Sequence, residues 1–227
     1  KAKQFRLFAM LAWILAIAGE VYAILKLLNN EMLTWLIVTI VAILALAITG
    51  SLLWKKANRM DPASEKDKVR FFIQNQLGAI MAVLAFLPLV ILIFTNKDMD
   101  KKTKNIAGVV AIVALLIGGI TGIDFNPPSI EKYTEQINAQ TGEVMRLTGQ
   151  DHVYWTPKGN KLHLYDDCQH VRNSEVSEGT VKDAWEARKI DNNEVCKTCS
   201  NKAEKNIDTP LIPEADEDAE AESDEAA

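Results

Sequence analysis

FRLFAMLAWILAIAGEVYAILKLL, Phe5–Leu28, is followed after three residues by MLTWLIVTIVAILALAITGSLLW, Met32–Trp54, and these two runs decide the fold. A hydrocarbon core about 30 Å thick is crossed by roughly 20 apolar helical residues. Both runs reach that length, and the three residues between them leave room only for a tight return. Two further runs follow, Phe71–Thr95 and the shorter Ile106–Ile123. One such run can be the buried helix of a soluble protein. Four in succession predict an α-helical polytopic membrane domain of four transmembrane helices over residues 1–123. Lys1, Lys3 and Arg6 ahead of an apolar stretch containing Ala16-Ile17-Ala18 also fit a cleaved leader. The apolar run resumes at once through Val21–Leu28, so the expectation is a retained helix.

Loop charges orient the spans, because Lys and Arg accumulate on the cytoplasmic side. The N-terminal segment, the second loop (Lys55–Arg70) and the start of the segment after span four carry ten of them, whereas the first and third loops carry four. The expectation is a cell-membrane protein with both termini cytoplasmic. Ala9, Ala12, Ala16, Gly19 and Ala23 in segment one, and Ala107, Ala111, Ala114, Gly118 and Gly122 in segment four, recur three and four apart. Such stripes let helix backbones approach in lipid, so both are expected to face inward. Glu20 lies within the first span. It reads either as a buried carboxyl bonded to a hydroxyl such as that of Thr39, or as a titratable transport group. Pro88 interrupts the backbone ladder of segment three.

The mean hydropathy near zero averages two unlike halves. Beyond residue 123 the chain reads as a connecting segment (124–150), a small soluble module (151–206) and an acidic tail (207–227). In the connector, Ser129 is a candidate N-cap for a helix whose apolar face is Ile130, Tyr133 and Ile137, with Thr141-Gly142 as its stop. The last fourteen residues hold eight carboxylates and no base, enough to account for the net charge of −5. Such a composition predicts disorder.

In the module, Val153–Thr156 and Lys161–Tyr165 flank the turn Pro157-Lys158-Gly159-Asn160 and predict a β-hairpin. A helix is expected over Thr180–Ile190, and a short one over Ser200–Lys205. All three cysteines lie here, and an odd number argues against a closed disulfide framework. His163, Cys168, Cys196 and Cys199 have the pattern H-x4-C-x27-C-x2-C. A C-x2-C turn converges two thiolates on one ion, and the hairpin supplies the other pair. Three thiolates and an imidazole complete a tetrahedral shell suited to a structural Zn²⁺. His170 is the competing imidazole, and His152 reads as a surface residue.

This module resembles the metal-binding domain of the Ada-type DNA repair proteins and related short bacterial modules of the form V-Y-x-T-x-x-G-x-x-x-H…C…A…C-x-x-C. Val153, Tyr154, Thr156, Gly159, His163, Cys168, the Gly179-Thr180…Ala184 helix start, Cys196 and Cys199 carry the resemblance. It covers about Val153–Lys205 and none of the membrane half. It implies a zinc-stabilised α+β fold. In the Ada type the first ligand is a cysteine that accepts a methyl group from DNA phosphotriesters. His163 stands there in this chain, so methyl transfer is not implied, and the x4 gap is one residue longer than usual.

No nucleophile–base pair or open metal position emerges from the sequence, so no enzymatic activity is expected. Lysines and acids are mixed in the module, which disfavours nucleic acid as a partner. The expected partners are the lipid bilayer and a protein on the cytoplasmic side. The leading functional reading is an integral membrane scaffold or accessory protein. The alternative is a small transporter or channel that uses Glu20.

Overall fold

The computed structural model describes residues 1–188 and 194–208. These form two compact units, one of Lys1–Ala139 with Trp185–Arg188, the other of Gln140–Ala184 with 194–208. The acidic tail lies outside the described residues from position 209 onward.

The first unit is a helical bundle. Helix α1 (Ala2–Tyr22) continues through Ala23–Leu27 as a π-helical stretch, and α2 (Leu33–Met60), α3 (Lys68–Thr95) and α4 (Lys101–Gly122) follow. Each is long and apolar enough to cross a membrane, four among the described residues. The chain is therefore organised as a multi-pass membrane protein. Two of the helices overrun their apolar runs by a charged turn or more, α2 at Lys55–Met60 and α4 at Lys101–Asn105. Lys and Arg sustain a helix well, so the backbone ladder continues after hydropathy has ended. Asp67 and Asp100 cap α3 and α4 by accepting the amide N–H groups of Arg70 (3.0 Å) and Thr103 (2.8 Å).

On α1 and α4 the small-residue stripes face inward and most large residues face outward. Ala9, Ala12, Ala16 and Ala23 are buried, as are Ala107, Ala111, Ala114 and Gly118, while Leu11, Ile14, Leu116 and Ile120 are exposed. Water would penalise that surface, but lipid does not. The two small stripes serve different neighbours: α1 packs mainly on α2, and α4 mainly on α3. Leu36, Ile40 and Ile43 of α2 join Phe86, Leu89 and Ile93 of α3 in the bundle core. Two crossings depend on absent side chains. A Cβ on Gly122 would lie 2.4 Å from the Ala79 nitrogen, and one on Gly50 would lie 2.5 Å from the Trp13 indole nitrogen.

Polar contacts sort the loops to the two ends. Arg6 donates to the Asp61 carboxylate at 2.7 Å, and Glu131 accepts from the Ser64 hydroxyl and the Glu65 amide. The N-terminus, the second loop and the start of helix α5 (Ile130–Thr148) therefore share one end. At the other, the Asn96 side chain donates to the Leu28 carbonyl and the Asp100 amide to Asn30 Oδ1.

Ser129 does cap α5, accepting the Lys132 amide at 3.1 Å. The helix does not stop at Thr141-Gly142. It runs to Thr148 and ends before Gly149, whose φ of 77° suits glycine. Val144 and Leu147 are buried beyond the expected stop, and burying them outweighs the roughly 1 kcal/mol cost of a mid-helix glycine.

In the second unit, β1 (Val153–Trp155) pairs antiparallel with β3 (Ser177–Gly179), Val153 opposite Gly179. Strand β2 (Lys161–Leu162) pairs in parallel with β4 (Glu194–Val195). The expected hairpin contracts to one bridge, in which Tyr154 and His163 exchange hydrogen bonds of 2.7 and 2.8 Å. Helix α6 spans Val181–Arg188, capped at Thr180 by reciprocal bonds with Asp183. The remainder of the predicted Thr180–Ile190 helix lies outside the described residues. Helix α7 (Lys197–Asp208) starts three residues before the predicted Ser200 and continues through Asp208, into the segment assigned to the tail.

Candidate metal centre

Each half of the cysteine–histidine pattern is placed by backbone hydrogen bonds. His163 is held by its exchange with Tyr154. Cys168 sits where tight turns meet: its amide donates to the Tyr165 carbonyl, and its own carbonyl accepts from Val171 and Arg172. The Cys196 amide donates to the Leu162 carbonyl at 2.7 Å, which ties the C-x2-C segment to β2. The Cys196 carbonyl accepts the Ser200 amide at 2.9 Å, so Cys196 stands at the entry of α7 and Cys199 within its first turn.

The result is a buried cluster. The ligand atoms of His163, Cys168, Cys196 and Cys199 all lie within 4.8 Å of one another, and Cys199 Sγ is 3.9 Å from His163 Nδ1. A tetrahedral ion with Zn–S bonds of about 2.3 Å sets sulfur–sulfur edges of about 3.8 Å. A contraction of at most about 1 Å would close the shell. The thiols are free of disulfides. These four side chains can hold a metal ion.

The thiols also show why an ion suits the site. Burial pushes Cys199 up to about 12, aided by the neighbouring Cys168 and Cys196 sulfurs. Burial acts on Cys196 in the same direction, but the Cys199 and Thr198 N–H groups donate to its sulfur, and the net displacement is downward. Packing three sulfurs together disfavours multiple thiolates unless a cation shares them.

His170 does not join the cluster. It is exposed, with Nε2 3.3 Å from both Thr198 Oγ1 and Gln169 Nε2, and its ring centroid lies 6.4 Å from that of His163. A cavity of about 440 Å³ opens between the two imidazoles, with Gly159, Thr156 and Lys197 on its walls. His152 is half-buried beside Glu178, at 3.5 Å.

In the membrane unit, Glu20 is only 4% exposed, and its Oε1 finds no hydrogen-bond partner among the described residues. The Thr39 hydroxyl does not bond to it; the polar group facing its carboxyl is the Leu89 amide, one residue past Pro88. The spans also hold polar groups that hydropathy did not bring forward. Ser51, Asn58 and Asn75 are all buried, and Asn58 donates to the Gln74 carbonyl at 2.7 Å. The seven-residue spacing of Ser51 and Asn58, which puts both on one helical face, was the available signal.

No family model, curated protein or solved structure matches the chain.

Proposed function

We propose that this protein is a membrane-anchored scaffold or accessory subunit of the cell membrane, whose module binds a structural Zn²⁺ and docks a protein partner on the cytoplasmic side. The observation that carries the reading is the cluster of His163, Cys168, Cys196 and Cys199, buried and complete. Four protein donors fill a tetrahedral shell and leave no position for a reacting water, which favours a folding role over hydrolysis. A module this small has little core of its own, so ion binding contributes directly to its fold. The kinship in fold to the Ada-type domain belongs to this proposal, and His163 at the first ligand position separates the chain from methyl transfer.

The orientation rests on the ten-to-four Lys/Arg bias, supported by the end of the bundle shared by Arg6, Asp61 and Glu131. A cytoplasmic module keeps its thiols reduced and available to metal. The test is cross-linking in intact cells followed by purification of the full chain. The scaffold reading expects a discrete cross-linked protein lost with Cys196→Ser, while the bundle remains in the membrane. Cross-links unchanged by that substitution would exclude the module as the docking element.

Glu20 supports a second reading, a small transporter or channel. A carboxyl buried in a span with an unpartnered oxygen is a candidate ion or proton site. Ion flux in proteoliposomes that vanishes with Glu20→Gln, with the bundle intact, would establish it. The absence of any flux would leave the carboxyl to packing.

A further inference from the structure

At the end of the bundle that carries the N-terminus, α1 and α3 flank an open groove of about 550 Å³. Its polar lining is Arg6, Asp67, Arg70 and Gln74, and its apolar lining is Val69, Ile73 and Leu77, with Trp54 beside them. Val69, Ile73 and Leu77 lie four residues apart, so they form one stripe descending about 12 Å along α3. Guanidinium groups and an apolar stripe therefore line one groove, where the chain passes from the charged Lys66–Arg70 to the apolar run that begins at Phe71.

The two arginines differ. Arg6 is fixed: it donates to the Asp61 carboxylate at 2.7 Å and the Asp61 carbonyl at 2.9 Å, and it stands 5.7 Å from the Trp54 ring centroid. Arg70 is exposed, and among the described residues its guanidinium makes no hydrogen bond or ion pair. Asp67 uses one carboxylate oxygen to cap α3 through the Arg70 amide. Lys66 and Lys68 flank it, so the local charge stays positive even with Arg6 neutralised by Asp61.

We propose that this groove is a binding site for an anionic glycerophospholipid. Its phosphodiester lies on Arg70, with the edge of Arg6 behind it, and an acyl chain runs down Val69, Ile73 and Leu77. A guanidinium offers paired donors to phosphate oxygens, and basic pockets between spans recognise lipid headgroups. The apolar stripe selects a lipid over a free phosphate, because a soluble anion would leave it uncovered. Trp54 suits the interfacial layer, where an indole has one apolar face and one polar edge. This inference rests on the membrane bundle alone and is independent of the metal module and its partner.

The experiment is native mass spectrometry of the full-length protein in detergent, with equimolar dioleoyl-phosphatidylglycerol and dioleoyl-phosphatidylcholine. The anionic lipid should be retained several-fold over the zwitterionic one. Arg70→Gln should abolish that preference, Arg70→Lys should keep part of it, and Lys102→Gln at the opposite end should leave it intact. Arg70 is exposed, so the thermal midpoints of these variants should match the parent, which separates lost binding from lost fold. Equal retention of the two lipids, or an unchanged preference in Arg70→Gln, would overturn the proposal. Displacement of the lipid by millimolar glycerol 3-phosphate would overturn it in favour of a soluble phosphate.

Discussion

Cys196 is the most constrained of the candidate ligands: its amide is tied to Leu162, its carbonyl begins α7, and its sulfur receives two N–H groups. Replacing that sulfur with oxygen keeps the size and removes a soft donor. Cys196→Ser should therefore abolish the one equivalent of zinc expected in the purified full-length protein, measured by elemental analysis, while His170→Ala retains it. Loss in His170→Ala and retention in His163→Ala would reassign the imidazole. A second residue-scale prediction concerns Glu131. The Ser64 hydroxyl, with the Glu65 amide, holds its carboxyl below the ordinary 4.5. A depressed carboxylate contributes stability above its unfolded value and loses it as pH falls through the folded one. Glu131→Gln should thus lower the bundle's stability at neutral pH, flatten its decline below about pH 4.5 and bring the two profiles together in acid. An identical acid limb in parent and variant would show that the contact adds nothing. The ligands were readable in the sequence because residue type and spacing largely define a metal shell. The contact made by the Glu131 carboxylate was not, since its partners lie 66 and 67 residues away.

The α3–α4 crossing offers a controlled comparison at the scale of elements. Gly119 and Gly122 share the last turn of α4, yet a Cβ at Gly119 meets nothing within 4 Å, and one at Gly122 would strike the α3 backbone. Backbone cannot swing aside as a side-chain tip can. Gly122→Ala should destabilise the detergent-solubilised bundle by about 1–3 kcal/mol, the usual cost of overpacking. Gly119→Ala should be neutral or stabilising by up to about 1 kcal/mol, because alanine favours the helix. Thermal midpoints of the two variants measure both effects, and equal midpoints would mean that the helices do not cross there. The inward stripe of α4 was visible from its period of three to four. Its partner was not, because a small face declares close approach without naming the helix it approaches.

For the whole molecule, the proposed topology rests on an even number of spans and their charge bias. A reporter active only outside the cytoplasm should be silent when fused after Ser200 and active when placed within Asn29–Glu31. Activity at Ser200 would invert the orientation and expose the thiols to an oxidising compartment. Span number, the extents of the apolar runs and the identity of the four candidate ligands were all determined by the sequence alone. Each is a local property: a length of apolar chain measured against the bilayer, or a donor type at a tight spacing. Tertiary structure decided the rest. It set β1 against β3 and reduced the hairpin to the Tyr154–His163 bridge. It carried α5 past Gly142 because Val144 and Leu147 are buried. It joined Arg6 to Asp61 across 55 residues. Those outcomes depend on which surfaces meet, and the free energy of a contact is shared by two segments, neither of which holds it alone.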